Sequence, residues 1–432
     1  MIILDMTFLD IEHHLQLLRD TTFNFLEKKE EVAILKKRWK HLLKKRYPQE
    51  LPLPQAYLKL LAYLLDTPFD TSLSLIEQMA NGATLLGRIG EGHQVPELTR
   101  LAELGSLWMI LGICLQNEAL AYAGVRVAIW QTHTLDHRGS PHLSMWGHPF
   151  LSTPSRLSAY NILLFSLAYR LTQKKGFQQA IELQAHPPLP YTLALLKLAI
   201  PQKPLSYNTP FSLLSEEMTL GCLKFTTPQS SIACTVSGWN SGLFSFHKKE
   251  IGIVNSGPHS SGYDSLDSFG IERPCYFHQR GFRELLWEKG RDHFRLKGWT
   301  KIFSLPTWMQ VEYIFQFPQL TLNFFIQENF PQGRLKIVFY SCCETIEVKE
   351  EKILEKGSLQ KYRGPSVPVT LVGTETTLTL LPQMKKEWGE ERQEENQMEI
   401  LPLEGKDHFF GANFIIAFLV EMNSPFLSFI IK

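Results

Sequence analysis

The sequence predicts an α+β fold in two domains, helical over residues 1–210 and antiparallel β over 211–432. Two observations carry this. Apolar residues recur at helical spacing up to about residue 210, and beyond about residue 217 their period changes to two. A third decides the class: helices come first and strands follow, whereas a parallel sheet needs the two to alternate. The boundary is expected between Pro201 and Ser215.

In the helical half, Ile11, Leu15, Leu18, Phe25 and Leu26 open the pattern, and Leu58, Leu60, Leu61, Leu64 and Leu65 repeat it. Breaks at Pro48 to Pro54, Gly90 to Gly92, Gly139 to Pro154, Pro187 to Pro190 and Pro201 to Pro204 separate segments of helix length. This spacing implies about seven to nine helices joined as hairpins. Lys36, Lys37, Arg38, Lys40, Lys44, Lys45 and Arg46 cluster at a helix end, where cations complement the dipole. They read as a solvated helix terminus, with a phosphate or lipid patch as the alternative. The most apolar segment, Leu104 to Leu115, is about twelve residues long against the roughly twenty that cross a bilayer, so it reads as a buried core helix. A further helix is expected from Ser155 to Thr172.

In the strand half, Val311, Tyr313, Phe315 and Phe317 alternate with mostly polar neighbours. Leu320, Leu322, Phe324 and Ile326 do the same, as do Leu335, Ile337 and Phe339 after the turn at Pro331-Gln332-Gly333. The Thr-rich run Val369 to Leu381 suits one more strand, and the aromatic run Phe409 to Val420 another. Lys385 to Glu399, charged and without period, reads as a loop.

Composition narrows the function classes. The 44 basic and 43 acidic residues leave a net charge of +1, so no global field draws the chain to nucleic acid or an anionic membrane. Asp5 and Asp10 interrupt the N-terminal apolar run where a secretory signal would be basic, which implies a cytoplasmic location. The six cysteines lack metal spacing and read as reduced structural thiols. GxSxG, a phosphate-cradling glycine loop and a dinucleotide fingerprint are all missing.

Two constellations carry candidate chemistry. Gln131 to His148 contains His133, His137, His142, His148 and Trp146. His133 and His137 share a helical face and suit a metal, but there is no HExxH. A sugar- or anion-binding loop, with Trp146 stacking on a ring, and plain solvated histidines are the other readings. Just downstream stand Arg156, Tyr160 and Asn161. Guanidinium and amide can neutralise a substrate carboxylate and acidify the neighbouring carbon, while a phenol or His moves the proton. A Tyr packed in the helical core is the bland alternative. In the strand half, Trp239, Asn240, His259, Tyr263, Asp264, Asp267, His278 and Arg280 are gathered around the turn-rich segment Ser256 to Gly270.

A helical half followed by antiparallel strands, with the segment Gly257-Pro258-His259-Ser260-Ser261-Gly262-Tyr263-Asp264-Ser265-Leu266-Asp267-Ser268-Phe269, resembles the heparinase II/III-like α/α-toroid polysaccharide lyases. Gly262 and Asp267 fit that family's motif, while Tyr263 and Ser265 stand where it carries two histidines. The resemblance implies an incomplete α/α toroid packed on a β-sandwich, a cleft where the halves meet, and an acidic polysaccharide as partner. It implies β-elimination on a uronate-containing polymer, with Tyr160 or Tyr263 as acid/base and His142 or His259 as partner. Arg156 and Asn161 would neutralise the carboxylate, and Trp146, Trp239, Asn240, Asp267 and Arg280 would hold the glycan. No metal or other cofactor is expected. A non-catalytic scaffold that binds a glycan or a protein is the alternative, and Tyr263 and Ser265 favour it.

Overall fold

The computed structural model describes residues 8–44, 52–67, 98–133, 135, 139, 159–183, 190–198, 222–235, 244–259, 283–301, 308–326, 334–348, 351–358, 360–383, 397–403, 412–421 and 426–432. The chain forms two compact units, Met1–His133 with Arg156–Ser215, and Thr134–Ser155 with Glu216–Lys432. Helices make up the regular structure described in the first unit and antiparallel strands that in the second, as the change of hydrophobic period predicts. The expected boundary at Pro201 to Ser215 lies outside the described residues.

The described helices are α1 (Phe8–Leu26), α2 (Val32–Lys44), α3 (Pro52–Leu64), α4 (Leu98–Cys114), α5 (Glu118–His133), α6 (Ala159–Thr172), α7 (Lys175–Glu182) and α8 (Pro190–Leu198). In α2, Leu35, Trp39 and Leu42 recur at helical spacing and are buried, so packing one stripe holds this helix. In α4, every residue from Leu101 to Gly112 is buried, Glu103 and Ser106 included, in a mostly apolar sequence. The described helices include none long and apolar enough to cross a membrane. Beyond the end of α4, Gln116, with a φ of 54°, turns the chain, and Asn117 caps α5 by accepting the Leu120 N–H at 3.0 Å. The two helices then pack at short range. A Cβ on Gly112 would lie 2.5 Å from the Ala121 nitrogen, and one on Gly124 would strike the Gly105 carbonyl oxygen.

The second unit is an antiparallel sandwich. One sheet runs β1-β2-β3-β4-β9-β16-β15-β12 and the other β11-β10-β13-β14-β17-β8-β7-β6-β5. The first comprises β1 (Cys222–Thr226), β2 (Ser230–Thr235), β3 (Phe244–Lys248), β4 (Ile251–His259), β9 (Arg334–Cys342), β12 (Tyr362–Pro365), β15 (Gln397–Pro402) and β16 (Phe414–Glu421). The second comprises β5 (Arg283–Lys289), β6 (His293–Lys301), β7 (Trp308–Gln316), β8 (Gln319–Ile326), β10 (Thr345–Val348), β11 (Glu351–Glu355), β13 (Val369–Val372), β14 (Thr377–Gln383) and β17 (Phe426–Ile431). Their inner faces share one core. Phe244 meets Tyr313 at 5.0 Å between ring centroids, Phe225 meets Phe315 at 5.4 Å and Phe339 meets Phe429 at 5.5 Å, each pair bridging the sheets. Every such fully buried aromatic contributes roughly 1.5–3 kcal/mol through removal from water. The segment that follows α5 reaches this unit too: Lys224 Nζ donates to the Leu135 carbonyl at 2.5 Å.

Four expectations change in detail. Val369 to Leu381 is a hairpin, β13 and β14, because Gly373 to Thr376 forms a turn closed by a 2.9 Å bond and capped by the Glu250 carboxylate. Phe317 is 44% exposed, since its strand ends at Gln316 and the residue sits in the turn to β8. Gln397 to Glu399, expected in a loop, begins β15, where Met398 enters the core. Ser256 to His259, expected in a turn-rich segment, belongs to β4, with His259 paired to Lys336.

Candidate functional site

Among the described residues, a cluster of buried ionisable groups lies inside the helical unit. Arg19 of α1 reaches Glu103 of α4 through both ends of its fork, Nε to Oε1 at 2.7 Å and Nη2 to Oε2 at 2.6 Å. Such a bidentate pair suits burial, because the geometry restores interactions that water would otherwise supply. Tyr57 of α3 donates its hydroxyl to Glu103 Oε1 and accepts the Tyr191 hydroxyl of α8 at 3.0 Å. Tyr160, in the first turn of α6, completes the set: its phenol lies within electrostatic reach of Glu103, Arg19 and Tyr57, and its ring stands edge-on to Tyr191 at 6.1 Å. Side chains from four other helices, α1, α3, α6 and α8, therefore gather around the Glu103 carboxylate of α4, Tyr191 through the Tyr57 hydroxyl.

Electrostatics follow from this placement. Burial, then the negative charge of Glu103, raises the Tyr57 phenol well above its ordinary range. Burial and Glu103 likewise raise Tyr160, against a smaller opposing pull from Arg19. Tyr191 rises through burial and the nearness of Tyr160. For Arg19, burial favours loss of the proton, but the hydrogen bond and charge of Glu103 outweigh it and the guanidinium stays charged. The three phenols are thus proton donors at neutral pH. Tyr160 is half-buried, at the edge of the cluster.

The next residue points elsewhere. Asn161 is fully buried and donates Nδ2 to Gln131 Oε1 of α5 at 2.7 Å, an amide pair that joins α5 to α6. Tyr160 and Asn161 are thus neighbours on α6 with different surroundings. His259 ends β4 in the other unit, and its side chain is outside the described residues. His142, Trp146, Arg156, Trp239, Asn240, Tyr263, Asp267 and Arg280 also lie outside the described residues. Among the described residues no group of three or more His, Cys, Asp or Glu side chains is placed to hold a metal ion.

Sequence reasoning found Tyr160 and missed Arg19, Tyr57, Glu103 and Tyr191. One signal was present: Glu103 is a lone carboxylate inside the apolar run Leu101 to Leu111, and such a position demands a buried cationic or hydroxyl partner.

No family model matches the chain, and no curated protein does. Among solved structures the chain is similar to a xanthan lyase from Paenibacillus, with 8% sequence identity and a TM-score of 0.45. The match covers 89% of this chain and 44% of the lyase, so this chain spans less than half the length of that protein.

Proposed function

We propose that this chain is a carbohydrate-active protein whose ligand is an acidic, uronate-containing polysaccharide, and that it processes the polymer by β-elimination in the manner of the heparinase II/III-like lyases. The observation that carries this reading is the environment of Tyr160: a half-buried phenol, kept protonated by burial and Glu103, with its ring edge-on to Tyr191. A phenol so placed is a proton donor, which elimination requires at the leaving glycosidic oxygen. The helical unit, as an incomplete α/α toroid, and the sandwich that follows it supply the architecture of the reading.

In this mechanism Tyr160 gives its proton to the leaving oxygen as the bond from the sugar ring breaks. A second group, Tyr263, His142 or His259, takes the proton from the carbon beside the carboxylate, and Arg156 neutralises the charge that builds on that carboxylate. Asn161, committed to Gln131, seats α6 so that Tyr160 keeps its position. Trp146, Trp239, Asn240, Asp267 and Arg280 are the proposed contacts to the glycan.

A second reading has its own observation. Burial raises the proton affinity of Tyr57, Tyr160 and Tyr191 alike, which opposes any step that needs a phenolate base. This favours a scaffold that binds the polymer without cleaving it. Incubation with a panel of acidic polysaccharides, followed by ultraviolet absorbance of the unsaturated sugar and by binding calorimetry, separates the two. Absorbance growth supports elimination and binding alone supports the scaffold. The absence of both signals overturns the carbohydrate reading.

A further inference from the structure

The helix α2 carries Lys36, Lys37, Arg38, Lys40, His41 and Lys44 and contains no acidic residue, in a chain whose total charge is only +1. The dipole explains cations only within the last turn. Lys36, Lys37, Arg38 and Lys40 lie before it, so the dipole does not by itself account for them.

The cations have a definite layout. Positions 36, 40 and 44 form one row along the helix, and 37 and 41 a second beside it, with about 6 Å of axial rise between successive members of a row. Lys36, Lys37, Lys40 and His41 are exposed. Arg38, the one guanidinium of the helix, is paired with Glu30 at 2.9 Å. A single phosphate would call for converging donors, preferably a free guanidinium fork. Evenly spaced ammonium groups along a line instead match a polymer with charges at regular intervals.

Two other polyanions fit less well. Insertion into a lipid surface needs an apolar face turned outward, and the stripe of Leu35, Trp39 and Leu42 is 1%, 2% and 0% exposed. Val32 and Ile34, large exposed apolar residues at the start of the helix, stand ahead of the cation rows. Single-stranded nucleic acid is held partly by stacking on aromatic rings, and the only aromatic of this helix, Trp39, is in the core.

We infer that the exposed face of α2 is a docking ribbon for a linear acidic polysaccharide, held by Lys36, Lys37, Lys40 and His41. The inference deepens the carbohydrate reading above and rests on it, but it assigns a surface that no catalytic role requires.

The test uses the full chain, with polygalacturonate and heparin as acidic probes and dextran as the neutral control. Duplex DNA and phosphatidylserine vesicles serve as competing polyanions. The triple variant Lys36→Gln, Lys37→Gln, Lys40→Gln alters only exposed side chains, and circular dichroism checks its fold. It is expected to bind the acidic probe at least about tenfold more weakly, with the slope of log affinity against log salt reduced by roughly two to three. The matching Lys→Arg triple variant should retain binding. Wild-type binding left unchanged by the Gln variant, or lost equally in the Arg variant, overturns the α2 assignment and leaves the carbohydrate reading intact. Binding to DNA or vesicles without binding to either acidic polysaccharide overturns it in favour of that partner. Wild-type chain that neither binds nor cleaves an acidic polysaccharide overturns both.

Discussion

Glu103 and Arg19, 84 positions apart in sequence, meet inside the helical unit as a two-point ion pair of 2.7 and 2.6 Å. The Glu103 side chain is 1% exposed and that of Arg19 18%, so each charge depends on the other for the interactions water no longer provides. Glu103→Gln is expected to destabilise the chain by up to about 3–5 kcal/mol, because it leaves the half-buried Arg19 guanidinium without its counter-charge. The double variant Arg19→Met, Glu103→Leu should recover much of that loss. Urea unfolding of the set measures both, and a double variant as unstable as the single one would show that packing, not charge, is at stake.

Stability should also depend on alkaline pH. Tyr57, Tyr160 and Tyr191 all titrate above their ordinary range in the folded chain, and in the unfolded chain they ionise near pH 10. The unfolded state therefore loses its protons first. The stabilising contribution is fully present below about pH 10 and is lost as pH rises through the folded values. Unfolding free energy is expected to be flat with respect to these groups near neutrality and to fall above about pH 10, and Tyr57→Phe should make the fall shallower. Phenolate absorbance that appears near pH 10 in the native state from all tyrosines would contradict this.

Thiol reactivity offers a third check. Burial pushes Cys343 up to about 12 and Cys114 up to about 11, and neither is a ready thiolate at neutral pH. Cys343 should resist iodoacetamide at about pH 8 until denaturant is added. Peptide mapping that finds it alkylated in the native chain would place it on an accessible surface.

Close packing of α4 against α5 makes Gly124→Ala costly. Its Cβ would meet the Gly105 carbonyl oxygen, which is backbone, and Met109 Cγ at 2.5 Å. A loss of about 1–3 kcal/mol or more is expected, read as a lower Tm. An unchanged Tm would mean that the two helices separate without penalty.

The parts of this structure that sequence reveals are those set by local periodicity. Val311, Tyr313 and Phe315 alternate along β7, and all three enter the core as their spacing requires. The hairpin at Gly373 was hidden because Val369 to Leu381 is β-forming throughout, and the decisive contact comes from Glu250, 125 positions away. The same distance problem hid the polar cluster. Tyr57 and Tyr191 lie in ordinary amphipathic patterns, and nothing local shows that their hydroxyls meet across 134 positions. Tyr160 was visible only through its neighbours Arg156 and Asn161, and Asn161 proves to face Gln131.

Tyr160 is the residue on which the functional account turns, and Tyr160→Phe tests it most directly. The change removes one half-buried hydroxyl, at an expected stability cost of about 1 kcal/mol. The account predicts that wild-type chain generates unsaturated product from a uronate-containing polysaccharide. It also predicts that Tyr160→Phe lowers kcat by about 100-fold or more, as loss of a positioned proton donor should, while polymer binding is retained. Equal turnover by the two proteins, with the fold of each confirmed, would contradict it.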